Sequence, residues 1–423
     1  MRTILITGAT GFLGSSAAFS FLQAGRQVVA ISRRDRDGDR TRSAVRKAAA
    51  AFGYEGDASE LLGRLTVFSA KSPELAHPEA FSRFEVDEVW HFAAEMTYSI
   101  SKLAKSMHSN VTSSLALYKL VEKHSVKRPR FYYISTAYSV GVPTEEIVSE
   151  GPHYAPSVVN AYQLSKWTSE MVLAQYAQDK NTLPLTIVRP GIVIGHSTSG
   201  WNGGKPYGIY MFLDSLGLLL RTKVRELAVD LPPENGANLA PVDYVTRAVL
   251  SLSDGHGKDT RQAVEWVNVT GVDFSIQRTA SLVKHNLGIQ AFFRKPVTIL
   301  DGQYAKHIAE NASFASTKFR FATGNLERFG ESPPSTVTED SIDMILVQYL
   351  EKMKGNTPKL PPRQNLALQL LAAYAVLQTR WFACFRRTKS NDENAVGLAA
   401  GIMTTGKISS RRDSDNRNIG VKS

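Results

Sequence analysis

Cysteine is nearly absent: Cys384 is the only one in 423 residues. No internal disulfide framework and no cysteine-based zinc centre can be built from it, and no metal site is expected. Long uninterrupted apolar runs are missing too. The nearest candidate, Leu366 to Phe385, carries Gln369, Gln378, Thr379 and Arg380 within it, which argues against a spanning helix. No leader of charged, apolar and small residues precedes the opening MRTILITGAT, which reads directly into a strand. These absences point to a reducing, cytoplasmic setting. Acidic residues fall short of basic ones, 39 against 50, for a formal net charge of +11. The excess is uneven. Residues 361–423 hold 10 Lys/Arg against 4 Asp/Glu, which leaves 40 against 35 for the other 360. A body so close to neutral is not a nucleic-acid binder, and no nucleic-acid partner is expected.

What is present is a strong alternation. TILITGA, QVVAISR, LTVFSA, DEVWHFAA, RFYYIST and LTIVRPG are short runs rich in Val, Ile and aromatic residues. Helical patterns at 12–24, 41–52, 99–124 and 157–178 separate them. Strands apolar on both faces belong to a sheet covered on both sides, so the alternation predicts an α/β fold with a doubly wound parallel Rossmann sheet. After His196 the pattern loosens into a Gly-rich loop, HSTSGWNGGKPYG, and an apolar run to Leu220. LAPVDYVTRAVLSL reads as strand then helix, and VEWVNVTG as a further strand. The cofactor domain is expected from 1–195 plus 237–271, and a smaller substrate-binding region from 196–236 plus 272–357. Thr338 reads as the N-cap of a late helix with Glu339 and Asp340 in its first turn.

The segment 358–387 is expected to be an amphipathic, largely apolar helix, and 388–423 a disordered basic tail. Leu366, Leu370, Tyr374, Leu377 and Trp381 share one stripe of that helix, with RRTK close behind. Two readings stand side by side: peripheral membrane contact through 366–387, or packing on the body or on a second subunit of a homo-oligomer.

ITGATGFLG places Gly8, Gly11 and Gly14 between the first strand and its helix. Glycines there allow a tight turn and let a pyrophosphate approach the backbone at a helix N-terminus. Where an NAD site usually carries an acid for the ribose 2′-hydroxyl, this chain has Arg33 and Arg34. Guanidinium groups match a 2′-phosphate, so NADPH is the expected cofactor. Farther along, AYQLSKW sets Tyr162 and Lys166 one helical turn apart. A phenol is a poor acid near neutrality. A neighbouring ammonium helps by favouring phenolate.

In these motifs the chain resembles the extended short-chain dehydrogenases/reductases, from residue 3 to about residue 250. The glycine triplet, DEVWHFAA at 87–94, NVTSS from Asn110, the strand-end Thr136 in ISTAYSVG, and the Tyr162/Lys166 pair correspond to that family's motifs in order. Ser113 stands where the family has Gly, and FSAKSP replaces the Gly-Asp-Leu that supplies an adenine contact. STAY, YQLSKWTSE and RPGIVIGHSTSG resemble the thioester-reductase and fatty acyl reductase (male-sterility-like) branch. The resemblance implies catalytic roles for Thr136, Tyr162, Lys166 and Asn110. It implies cofactor contacts at Gly8, Thr10, Gly11, Phe12, Leu13, Gly14, Arg33, Arg34, Ala93, Ala94, Tyr162, Lys166, Pro190 and Ile192. His91 and His196 are read as structural.

The activity implied is NADPH-dependent reduction of an acyl thioester, CoA- or carrier-bound, to an aldehyde or alcohol. The run 207–220 is a candidate acyl-pocket wall, and Lys205 a candidate contact for a carrier phosphate. The alternatives are an NADP-dependent oxidoreductase of a ketone or hydroxy-lipid, a nucleotide-sugar epimerase-like enzyme, and a non-catalytic NADP-binding scaffold.

Overall fold

The computed structural model describes residues 1–76, 78–180, 182–204, 207–222, 224–256, 263–330, 337–355 and 361–380. All six runs picked out above are strands: β1 (Thr3–Thr7), β2 (Gln27–Arg33), β3 (Leu65–Ala70), β4 (Glu88–His91), β5 (Arg130–Ile134) and β6 (Leu185–Pro190). Five more are numbered in chain order: β7 (Ile192–Ile194), β8 (Glu226–Ala228), β9 (Gly236–Pro241), β10 (Val264–Val269) and β11 (Val272–Ser275). The last, β12, covers Gln290–Phe292. The main sheet is seven-stranded, in the order β10-β6-β5-β4-β1-β2-β3, and every pairing in it is parallel.

Period-two alternation divides each strand between two buried layers. Ile4, Ile6, Val28, Ala30, Tyr132 and Ile134 pack with Ala17, Phe19 and Val45 and with Val249 of the helix Val242–His256. Their neighbours Leu5, Ile31, Phe131 and Tyr133 pack on the other side, with Leu117 and Val121 of Ser113–His124 and Leu173 of Ala161–Lys180. The strand order reverses between β1 and β4, which opens a crevice at their carboxyl ends, the usual ligand position in such sheets.

The second region holds a three-stranded sheet, β11-β9-β7, and the pair β12-β8. Around these stand the helices Ile209–Ser215, Ile276–Leu287, Ile299–Ala315 and Glu339–Gly355. The expected strand in LAPVDYVTRAVLSL forms, as β9, but joins this smaller sheet instead of the main one. The N-cap at Thr338 also forms, its hydroxyl accepting from Ser341 N at 3.2 Å. Arg278 ties two helices together by pairing with Asp343 at 2.8 Å and Asp340 at 2.9 Å. The expected helix over 99–124 is a composite: a 3-10 turn, a short α segment, a π turn at Met107–Thr112, then α-helix. In the tail, residues 362–380 are helical. The expectation for 388–423 falls outside the described residues.

Candidate active site

Gly8 ends β1 with φ +76°, and a Cβ there would stand 2.7 Å from Ala93 N, so the position tolerates only glycine. Gly11 N donates to Gly8 O at 2.9 Å. A Cβ on Gly14 would come within 2.2 Å of that same oxygen. The loop is therefore wound tightly onto the helix Phe12–Gln23, whose N-cap, Gly11, supplies no side-chain cap. Backbone N–H groups and partial positive charge are left for an anion, which is what a dinucleotide pyrophosphate requires.

Arg33 closes β2 and lines the same cavity. Arg34 does not: its backbone adopts φ +53°, its N–H donates to Ala70 O at 3.0 Å, and its side chain is outside the cavity wall. Arg40 takes the expected place of Arg34, lining the cavity and donating Nη1 to Arg33 O at 3.0 Å. The nearest carboxylate, Asp35, is already engaged. It accepts from Thr41 Oγ1 at 2.6 Å, Thr41 N at 2.9 Å and Arg40 N at 3.1 Å. Burial pushes its carboxyl up, but those bonds and the Arg40 charge outweigh burial and hold it below the usual value. Two guanidinium groups thus stand at the end of β2, beside an acid committed to the next helix.

Thr136 follows β5 as the N-cap of a short turn, and its Oγ1 accepts from Tyr138 N at 3.3 Å. That leaves its O–H to donate into the cavity it lines. Tyr162 stands in the first turn of Ala161–Lys180, half-buried, with the Tyr98 ring edge-on at 6.1 Å. Burial, with Tyr98 and Glu170 nearby, pushes its phenol above the ordinary value, so it is a protonated donor at neutral pH. Lys166 is 1% exposed. Its Nζ donates to Ile134 O and sits 4.2 Å from the centre of the Tyr133 ring. Burial pulls the ammonium down to about 7, against the opposing pull of the Glu170 carboxylate. The charge expected to favour phenolate is therefore itself pH-dependent.

Glu170 lies one turn beyond Lys166, fully buried, and pairs with Arg189 of β6 at 2.5 Å. Ser135 Oγ donates to Glu170, and Arg189 Nη1 donates to Gly151 O at 2.8 Å. Asn110 sits in the π turn, 1% exposed and outside the cavity wall. Its Oδ1 accepts from Glu95 N at 2.7 Å, and its Nδ2 donates to Glu95 O at 3.0 Å and Ser165 Oγ at 2.8 Å. It joins the chain after β4 to the Tyr162 helix, so in this structure it positions the site without facing it. His91 is held between Thr7 Oγ1 at 2.6 Å and Ser114 Oγ at 2.9 Å. Burial first and the Lys166 cation second lower it to about 3, a neutral ring.

One cavity of about 750 Å³ collects Gly8, Thr10, Gly11, Phe12, Leu13, Gly14, Arg33, Ala93, Ala94, Thr136, Tyr162, Lys166, Pro190 and Ile192. Arg34 and Asn110 are the two sequence candidates it leaves out. It adds Ser72 of FSAKSP, Tyr207 of the run 207–220, and Arg40 and Tyr98, which no motif had marked. Arg40 could have been suspected as a third cation close to Arg33, whereas Tyr98 is brought in by tertiary folding alone. Past Ile192 the cavity continues into the second region between Leu213, Leu227, Phe274, Val283, Ala291 and Tyr304. Among the described residues lining that arm, none is charged. Lys205, the candidate phosphate contact, lies outside the described residues.

The terminal R domain from the myxalamid PKS-NRPS biosynthetic pathway superposes with a TM-score of 0.65 at 20% identity, covering 85% of this chain and 93% of that one. The UDP-glucose 4-epimerase from Bifidobacterium longum, in complex with NAD+ and UDP, gives 0.60 at 17%, covering 84% and 99%. At such identities the likeness is one of fold. By sequence, UDP-glucose 4-epimerase of Bacillus subtilis (strain 168) is 27% identical over 281 residues, 64% of this chain and 75% of that protein. The family model described as male sterility protein matches residues 6–249. With its glycine cradle, parallel sheet and Thr-Tyr-Lys site, the chain belongs to the male sterility family of the extended short-chain dehydrogenases/reductases, with an NAD(P)-binding Rossmann domain.

Proposed function

We propose that the protein is an NADPH-dependent reductase of an acyl thioester, CoA- or carrier-bound. The observation that carries this reading is the uncharged, aliphatic and aromatic arm beyond Ile192. A nucleotide sugar brings a diphosphate into the substrate half of the site, and buried phosphates call for Arg or Lys partners. An acyl chain calls for apolar walls, at roughly 0.8 kcal/mol per buried methylene.

The residues fit the cofactor. Gly8 and Gly14 pack so closely on Ala93 and on Gly8 O that no Cβ fits, which keeps the loop tight and the helix N-terminus open to a pyrophosphate. Arg33 and Arg40 suit a 2′-phosphate, with Asp35 committed elsewhere. When bound, NADPH supplies a hydride for the carbonyl carbon. Thr136 and Tyr162 are the donors available to the carbonyl oxygen as it becomes anionic, and preorganised donors of this kind carry much of the rate. Tyr162 gives that oxygen its proton, with Lys166 as the nearby cation. As the C=O bond re-forms and the C–S bond breaks, that proton leaves the oxygen and is taken up by the departing thiolate, giving aldehyde and thiol, so each turnover consumes one hydride and one proton.

The test is a panel of acyl-CoA esters with NADPH, following cofactor absorbance and free thiol together. Equal loss of NADPH and gain of thiol is expected, and Ala280→Trp, which fills the apolar arm, should shorten the longest chain accepted. NADPH oxidation with ketones but no thiol release would favour the free-carbonyl reading. Conversion of a UDP-hexose without net NADPH loss would favour the epimerase reading, and inertness toward every carbonyl tried would favour the scaffold.

A further inference from the structure

Helix 362–380 is seated on the body by a narrow face. Leu368, Ala372 and Ala375 are buried. Gln369 Nε2 donates to Arg221 O at 2.7 Å, and Gln378 Oε1 accepts from Ile299 N at 2.9 Å. The opposite face is apolar and open. Leu366, Leu370, Tyr374 and Leu377, at helical spacing, are 63%, 64%, 54% and 62% exposed. No charged residue occurs from 364 to 379, and Arg363 and Arg380 stand at the two ends. From Lys352 to Asn391 the sequence carries eight Lys or Arg and no Asp or Glu, and Trp381, Phe382 and Phe385 extend its apolar character.

We infer that this face lies on an anionic lipid surface, with the stripe at the level of the acyl chains and the flanking cations on the headgroups. Charge selects this occupant over the others. A second copy docked stripe to stripe would bring two cationic segments together, which like-charge repulsion opposes. The chain's own remainder, 381–423, holds 8 Lys/Arg against 4 Asp/Glu, so it too is repelled. Anionic headgroups attract each nearby Lys or Arg while the interface takes up the leucines. The helix is braced on elements that also wall the apolar arm: Arg221 follows the segment carrying Leu213, and Ile299 opens the helix carrying Tyr304. Docking therefore brings a bilayer one helix layer away from the acyl-binding cavity. The docking itself does not depend on the thioester reading.

The test uses the full chain and sedimentation with vesicles of phosphatidylcholine alone or mixed with phosphatidylglycerol. Binding to the mixed vesicles, weakened by salt, is expected. Leu370→Glu with Leu377→Glu changes two outward residues and should cut partitioning by about a hundredfold or more, while melting temperature and NADPH affinity stay at wild-type values. Wild-type protein that ignores anionic vesicles overturns the inference. So does undiminished binding by the variant, or a wild-type dimer in the absence of lipid that the same substitutions dissociate.

Discussion

Replacing Glu170 with glutamine isolates the electrostatics of the site. Glu170 is one helical turn from Lys166, a spacing that sets the two Cβ atoms about 6 Å apart, and its charge acts on the ammonium. At an effective dielectric of about 20, a unit charge at that distance contributes roughly 2.8 kcal/mol, or about 2 pK units. Lys166 sits at about 7 with Glu170 ionised, so glutamine should carry it to about 5. The sign follows from burial, which favours the neutral amine. The cation is present below the folded value and is lost as pH rises through it. For wild type, kcat/KM for NADPH, which reports the free enzyme, should fall as pH rises past about 7. For the variant the fall should begin about two pH units lower, leaving about one-fiftieth of the wild-type rate at neutral pH. Initial rates of NADPH oxidation across pH measure it. The same depressed value makes stability rise with pH, the contribution being complete above the free-lysine value of 10.5 and lost as pH falls through about 7. Loss of the partner also strands Arg189, fully buried, at about 3–5 kcal/mol. Substituting Arg189→Met as well should restore much of the lost melting temperature. A variant that folds and binds NADPH yet keeps the wild-type pH limb refutes the electrostatic account.

Arg33→Ser with Arg40→Ser should weaken NADPH binding about tenfold or more, from charged hydrogen bonds discounted for exposure, and leave NADH affinity unchanged in fluorescence titration. Tyr162→Phe should lower turnover by at least about a hundredfold with NADPH affinity nearly intact, as separate rate and binding measurements will read. Gly14→Ala puts a Cβ at 2.2 Å from Gly8 O. It should abolish NADPH binding and cost about 1–3 kcal/mol of stability by overpacking, seen in denaturant melts.

Six strands were legible because all but the edge strand β3 are buried on both faces and need apolar residues at nearly every position. The site's motifs were legible because they hang on those strand ends. What escaped depends on the tertiary structure. Nothing local announces that Arg34 enters the left-handed region and gives its expected place to Arg40. The π turn at Met107–Thr112 follows from Asn110 reaching Glu95 and Ser165, partners distant in sequence. β9 looks like any buried strand, and only the closing of the second region assigns it to the small sheet. The tail helix was visible as an amphipathic stripe, but its orientation was not: Leu368 with the small alanines at 372 and 375, not the stripe of Leu366, Leu370 and Leu377, forms the seat.

Cofactor cleft and apolar arm are a single continuous space, with Tyr162, Lys166 and Pro190 among its walls. Occupants of the two halves therefore share walls, and their affinities are linked. Whatever factor an acyl ligand adds to the affinity for NADPH, NADPH must add to the affinity for that ligand. A nonreactive acyl analogue titrated with and without cofactor, and the reverse titration, should return the same number. A tight pairing of spent cofactor with released aldehyde would hold product on the enzyme, so turnover could be governed by emptying the shared chamber rather than by the bond-breaking step.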